Sequence, residues 1–251
     1  MYSFYSQLST EAYDLDKPIG HSFGDIEYYL ERLQGVEGKI LEPAVGTGRV
    51  MIPLLEAGLQ MEGMDLSRDM LALCKRYCQE REVSTRLFEG SMDTMSVDTS
   101  YEAIVLPAGS FLLMKDRTVA MEALKKFYDH LQLGGRLILD LFLVTQFDKG
   151  YVDTRAWTTR EDDLITLEEK LVDVDFLNQV VVSHNRYEKW QQQQLVATEL
   201  ERFELKWYGI EEFKMMLEAV GYEDISVSAN YSYGVTPTRY DQPITFEAVK
   251  R

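Results

Sequence analysis

Glu42, Gly46, Gly48 and Asp65 are the residues whose types and spacing could do chemistry in this chain. The run Ile40-Leu41-Glu42-Pro43-Ala44-Val45-Gly46-Thr47-Gly48-Arg49 sets two glycines between a strand-like and a helix-like segment, where backbone can approach a ligand without interference from Cβ atoms. A phosphate-cradling loop would continue from its last glycine with Lys and then Ser or Thr, but Arg49 and Val50 follow here. A dinucleotide loop would want a third glycine at position 51, where Met51 stands, and would set the Glu42 carboxylate beside a pyrophosphate. A cationic ligand removes that conflict, because a sulfonium and an α-ammonium are attracted by Glu42. Asp65 follows 23 residues later, room for one helix, at the end of the strand-like Met61-Glu62-Gly63-Met64-Asp65. A carboxylate there can accept hydrogen bonds from both ribose hydroxyls of a nucleoside.

The elements that must position these groups alternate over the first 145 residues or so. The pattern predicts a helix from Ile26 to Leu33, a strand from Lys39 to Glu42, and a helix from Val50 to Ala57 closed by Gly58. It continues with a strand from Gln60 to Asp65, a helix from Arg68 to about Glu80 capped by Ser67, and a third strand at Arg86 to Glu89. A fourth strand is expected at Glu102 to Leu106, a helix at Thr118 to Leu131, and a fifth strand at Arg136 to Phe142 after Gly134-Gly135. That rhythm predicts an α/β fold with a Rossmann-like, doubly wound, mostly parallel sheet. Then the rhythm changes. Asp163 to Asp175, Gln179 to Trp190 and Leu195 to Trp207 are long, alternating and joined by short polar turns, which predicts an inserted antiparallel three-stranded sheet. A helix at Ile210 to Val220 and strands at Asp224 to Ala229 and Thr245 to Val249 complete one domain, its last strand antiparallel, in which residues 160–207 form a lid or an interface. The tyrosine-rich connection from Asn230 to Pro243 is long enough to be functional.

With these residues in view, the chain resembles a class I S-adenosylmethionine-dependent methyltransferase over nearly its whole length. Glu42, Ala44, Gly46 and Gly48 match the family's acid and glycine loop, with alanine in place of the first glycine, and Asp65 with Leu66 matches its ribose-binding acid. The resemblance implies S-adenosyl-L-methionine as cofactor. It places the adenine at Gly90-Ser91-Met92-Asp93, where Ser91 stands in the position that often carries an acid, and adds Met70 to the cofactor contacts. Leu106-Pro107-Ala108-Gly109-Ser110-Phe111 occupies the place beside the transferable methyl, which brings Leu106 and Ala108 into the cofactor set. The insertion and the start Ala12-Tyr13-Asp14 resemble the small-molecule branch, which includes amino-sugar and glycine N-methyltransferases. There an N-terminal tyrosine and a basic residue close over the methionine end, and Tyr13 and His21 match those roles.

Methyl transfer is an in-line displacement on a carbon already activated by the sulfonium, so positioning and desolvation can supply much of the acceleration. An acceptor nitrogen or oxygen still needs to lose a proton. His21 and Tyr13 are therefore the catalytic candidates, while His130 before Gly134-Gly135 and His184 within a strand read as structural. Trp157, Trp190, Trp207, Tyr231, Tyr233 and Tyr240 are candidate pocket walls and could hold an amine by cation-π contact. The expected activity is N-methylation of a small molecule ahead of O-methylation. Its rivals are a dinucleotide-dependent oxidoreductase and a non-catalytic methyltransferase-fold module.

Composition narrows the partners. The 251 residues, 45% hydrophobic, can bury a large core. Acidic residues outnumber basic ones 42 to 26, and the net charge of -16 repels nucleic acid and anionic membranes. No run of about 18 apolar residues exists to cross a bilayer, and the N-terminus has no basic and apolar leader pattern, so a cytoplasmic protein is expected. Cys74 and Cys78, four apart, match no metal-binding pattern and read as reduced thiols on one helix face; no metal is expected. A homodimer through the inserted sheet is the expected assembly, if the chain assembles at all.

Overall fold

The computed structural model describes residues 5–114 and 116–251. In chain order the elements are α1 (Gln7–Asp16), α2 (Asp25–Arg32), β1 (Lys39–Pro43), α3 (Met51–Glu56), β2 (Gln60–Asp65), α4 (Arg68–Glu80), β3 (Arg86–Glu89) and β4 (Tyr101–Leu106). They continue with α5 (Arg117–His130), β5 (Leu131–Leu141), β6 (Val152–Thr158), β7 (Leu164–Asp175), β8 (Val180–Gln191) and β9 (Gln194–Lys206). α6 (Ile210–Val220), β10 (Tyr222–Ala229) and β11 (Ile244–Lys250) complete the chain.

Seven strands form the main sheet in the order β10-β11-β5-β4-β1-β2-β3. β1 to β5 pair in parallel, and β11 runs antiparallel to both β5 and β10. The strand order reverses between β1 and β4, and ligands of such sheets bind outside the carboxyl ends of the strands at that switch point. Successive side chains of the central strands divide between two apolar layers. Leu41, Ile104, Leu137 and Leu139 pack with Phe127, Phe213 and Phe246 on one side. On the other, Ile40, Ala103, Val105 and Ile138 pack with Tyr29, Met51, Leu54 and Cys74. Both cysteines are buried and free, as their helix face predicts.

The strand from Lys39, the helix from Arg68 and its Ser67 cap, and the short turn between the strands that end near Trp190 and start near Leu195 lie where the sequence puts them. Two elements differ. β5 starts at Leu131 because Gly134 and Gly135 sit within a bulge: the β4–β5 register jumps from Tyr101↔Leu131 to Ala103↔Arg136. The inserted sheet has four strands, ordered β6-β7-β8-β9, where three were expected. β6, the extra edge strand, carries Val152-Asp153-Thr154-Arg155-Ala156-Trp157-Thr158, almost all exposed, so it buries no alternating apolar set that could mark it in the sequence.

Met51, which stands where a dinucleotide loop would have its third glycine, is fully buried against β2. The close approach is made from the other side, by Gly63, where a Cβ would lie 2.8 Å from Leu87 Cδ2 and 2.9 Å from Met51 Sδ. Gly63→Ala is expected to lower the unfolding free energy by about 1–3 kcal/mol. Adding Met51→Ala should recover part of that loss, read as a positive coupling in a double-mutant cycle by urea denaturation.

Candidate functional site

β1 and β2 pair with Pro43 opposite Met64, so their carboxyl ends, bearing Glu42 and Asp65, lie side by side. The loop between β1 and α3 folds onto Asp65. Gly46 N–H donates to Asp65 Oδ2 at 2.8 Å, and Ser67 N–H donates to Oδ1 at 2.8 Å. Ala44, Gly46 and Gly48 all take left-handed backbone, at φ 54°, 56° and 89°. Ala44 thus keeps the conformation that its position demands of a glycine, at a modest steric cost. The two glycines serve different ends. A Cβ on Gly48 would strike Cys74 Sγ at 2.8 Å, whereas one on Gly46 would meet only Met70 Sδ at 3.9 Å, so the Gly46 main chain is open to a ligand.

Glu42 is 3% exposed, and its Oε2 has no hydrogen-bond partner. Burial pushes its carboxyl well above the usual range; Arg49 partly offsets this, and the charges of Asp25 and Asp65 add to it. Asp65 is also raised by burial, against the N–H groups that it accepts.

Arg49, first read only as a mismatch to a phosphate loop, is the buried cation of this region. Its Nη2 pairs with Asp25 Oδ2 at 2.5 Å, and its Nη1 donates to His21 O at 2.7 Å. The guanidinium also reaches the Tyr13 hydroxyl. Burial works against the charge on Asp25, but Arg49 and the N–H groups of Phe23 and Ile26 outweigh it and hold that carboxyl below its usual value.

Asp140, one residue from the end of β5, was not singled out by its sequence context either. It is 2% exposed. Thr245 Oγ1 donates to its Oδ1 at 2.9 Å, while Ala108 N–H and the Tyr231 hydroxyl donate to its Oδ2 at 3.1 and 3.3 Å. Burial pushes its carboxyl up to about 6 in spite of these donors. A lone acid inside the apolar run Leu137-Ile138-Leu139-Asp140-Leu141 was the available signal.

Among the described residues, Glu42, Asp25 and Asp140 therefore share one buried region with a single guanidinium, that of Arg49. The Thr47 hydroxyl is buried there without a partner among the described residues, and the buried Tyr29 hydroxyl faces Asp140. A neutral or anionic ligand would leave this imbalance in place, whereas a cation with hydrogen-bond donors relieves it.

The remaining expected contacts fall around this centre. Leu66 is 65% exposed just past Asp65, free to cover a flat ring. Ser91 donates a short hydrogen bond to Asp93, and Gly90 N–H reaches Asp65 O at 3.0 Å, so this segment borders the ribose acid. Met70, Met92 and Leu106 are buried and support the loops from beneath. Ala108 is exposed at φ 57° beside β5. Tyr13 lies over Arg49. The exposed His21 ring packs on Phe23 at 4.7 Å, and it is the His21 carbonyl that meets Arg49. His130 is held by Lys126 O and Val97 N–H, and His184 is exposed on β8. Of the expected walls, Tyr231 sits over Asp140, Trp157 donates to Asp16 on α1, and Trp207 packs with Phe147 and Phe176.

α1 ties the inserted sheet to the glycine loop. Glu199 on β9 accepts from Ser6 Oγ at 2.5 Å, Leu8 N at 2.9 Å and Ser9 N at 3.2 Å, which caps the helix N-terminus. Glu201 accepts from Ser9 Oγ at 2.5 Å. On the other flank Ser67 Oγ donates to Tyr5 O at 2.7 Å, and Tyr77 hydrogen-bonds Asp14. Leu8 and Ala12 pack on Ile165, Leu167 and Tyr187 of the inserted sheet.

Residues 40–135 match the family described as a methyltransferase domain. The chain is an S-adenosylmethionine-dependent methyltransferase. This methyltransferase is 23% identical to the cypemycin N-terminal methyltransferase of Streptomyces sp. over 235 residues, 92% of this chain and 91% of that one. A sugar N-methyltransferase from Streptoalloteichus sp. ATCC 53650 shares its fold at TM-score 0.74 and 20% identity, covering 100% of this chain and 97% of that one. An S-adenosylmethionine-bound amino pentose methyltransferase from Micromonospora echinaspora aligns at TM-score 0.69 and 18% identity over the whole of both chains. The dinucleotide and non-catalytic readings give way to the methyltransferase. Among the described residues no helix is long and apolar enough to cross a membrane, and no group of three or more His, Cys, Asp or Glu could hold a metal ion.

Glu42→Gln removes an unpaired buried charge, so it should raise the unfolding free energy of the ligand-free methyltransferase by about 1 kcal/mol while weakening S-adenosylhomocysteine binding about tenfold or more. Thermal melts and calorimetry on one preparation test both arms. Asp140 binds its proton more tightly in the folded chain, at about 6 against the ordinary 3.8. Its contribution to stability is therefore full below pH 4 and is lost as pH rises through 6. Relative to wild type, Asp140→Asn should gain about 2.5 kcal/mol of unfolding free energy between pH 4 and pH 7.5, at about 1.4 kcal/mol per pKa unit. Urea titrations at both pH values read the difference.

Proposed function

We propose that this methyltransferase acts on the nitrogen of a small amine. The observation that carries the reading is the buried charge imbalance: Glu42, Asp25 and Asp140 against Arg49 alone, with Glu42 Oε2 unpartnered. A site that already favours a cationic donor also draws a protonated amine to the same mouth. The relatives add support, since one is named for methylation of the cypemycin N-terminus and another for methylation of a sugar nitrogen.

In this reading Asp65 takes the ribose hydroxyls, Leu66 and the Ser91 to Asp93 segment border the adenine, and the Gly46 main chain faces the methionine portion. Glu42 receives the α-ammonium on its free oxygen, and Arg49 with Tyr13 marks the carboxylate end. When bound, S-adenosylmethionine supplies a methyl activated by its sulfonium. The chain's own part is to hold the two reactants in line, exclude water and provide an acceptor for the amine proton. Burial raises the Tyr13 phenol, so Tyr13 serves as a neutral hydrogen-bonding group. α1 and the four-stranded sheet form the lid over this cleft.

Calorimetry should give micromolar-range binding of S-adenosylhomocysteine, weakened about tenfold or more by Asp65→Ala. With S-adenosylmethionine and a panel of a nucleotide-linked amino sugar, free peptide N-termini and matched hydroxyl compounds, mass spectrometry should find the added methyl on nitrogen. Transfer to hydroxyl compounds with every amine left untouched would rule the reading out.

A further inference from the structure

We infer that Asp140 is the carboxylate that receives the acceptor's ammonium and takes a proton from it, and that Tyr231 covers it until the acceptor arrives. This rests on the amine reading above.

Position comes first. Ile40 and Ile138 belong to one apolar layer, and two residues further along each strand stand Glu42 and Asp140, so both carboxyls face the same side of the sheet. β4 lies between their strands, and the register sets Glu42 level with Ile138, so Asp140 stands about 10 Å across the sheet from Glu42 and about 7 Å further along it. Glu42 belongs to the glycine loop and the donor. Asp140 lies one strand beyond β4, directly under Ala108, in the loop that closes β4 beside the acceptor. The two carboxyls thus divide the cleft between a donor end and an acceptor end.

The partners of Asp140 point the same way. The three groups that donate to it at measured distances, Thr245 Oγ1, Ala108 N–H and the Tyr231 hydroxyl, are neutral, as is the Tyr29 hydroxyl that also faces it. The ionisable groups that face it are Tyr29 and Asp25 from α2 and Tyr231 from the β10–β11 connection; burial keeps both phenols protonated, and Asp25 is of like charge and already paired with Arg49. A carboxylate this deeply buried with no cation among its described hydrogen-bond partners is costly, and a scaffold that only needed to join β5, β11 and the Ala108 loop would do better with an uncharged residue. The Tyr231 contact, at 3.3 Å, is the longest of the three. Its backbone is strained into place: Asn230 and Tyr231 take φ of 55° and 52°, two left-handed residues in succession without a glycine. That turn sets the Tyr231 ring against Gly24, where a Cβ would touch it at 3.5 Å.

The chemistry balances with these groups alone. An amine arrives as an ammonium. Its N–H bond breaks as an O–H bond forms on Asp140 Oδ2, and the electron pair stays on nitrogen, free to attack. The methylated product is again a cation, and the proton on Asp140 passes to solvent. A carboxyl raised to about 6 is ionised at pH 7–8, yet a far better base than an exposed aspartate.

The test uses sinefungin, in which an amine-bearing carbon replaces the methylated sulfur, against S-adenosylhomocysteine, which has no charge there. Calorimetry at pH 8 on wild type should show sinefungin preferred. Asp140→Asn should reduce that preference about tenfold and leave S-adenosylhomocysteine within twofold of wild type, while Asp140→Glu retains part of it and Tyr231→Phe all of it. In wild type the preference should decline below pH 6. An unchanged preference in Asp140→Asn, or an equal loss for both ligands, would overturn the proposal while the amine reading stands. If wild type binds neither compound, the cofactor assignments fall and this inference falls with them. Circular dichroism melts establish that each variant is folded.

Discussion

Electrostatic imbalance in a dry place governs this molecule. At the carboxyl ends of β1 and β5, and at the start of α2, the fold buries three carboxyl groups and answers them with one guanidinium. A protein of net charge -16 has every reason to keep acids in water, so placing Glu42 and Asp140 at 3% and 2% exposure works against stability unless a positive partner visits. The sulfonium donor is such a partner, and the amine proposed above as acceptor would be a second. On that proposal, two carboxyls two strands apart would meet donor and acceptor with the same physics.

Supporting structure follows from that placement. The parallel strands converge their carboxyl ends on one edge, and the reversal of strand order between β1 and β4 opens the cleft there. Left-handed backbone at Ala44, Gly46 and Gly48 brings main-chain N–H groups toward Asp65. α1 then closes the region from the side, its N-terminus held by Glu199 and Glu201 of the inserted sheet and its other flank held by Ser67 and Tyr77.

How much of this was legible in the chain depends on distance along it. Glu42, Gly46, Gly48 and Asp65 could be read because each sits at a strand end or turn whose local pattern announces it, and the donor loop is contiguous. The same holds for the Ser67 cap, which bonds only three residues away. Arg49 and Asp140 were overlooked for the opposite reason. Arg49 acquires its role by meeting Asp25, 24 residues earlier, and Asp140 by meeting Thr245, 105 residues later. Nothing local distinguishes an arginine that ends a glycine loop from one on the surface, nor an aspartate in an apolar strand from a misplaced one. β6 escaped notice because an exposed edge strand needs no alternation. Conversely Met51, an objection to one ligand class, turned out to be a packing solution once Gly63 was seen facing it.

The attachment of α1 bears on how the reaction cycles. Because the helix is fastened to the inserted sheet at its start and meets Arg49 through Tyr13, a shift of that sheet is carried to the glycine loop, which ties loading and release of the donor to the position of the insertion.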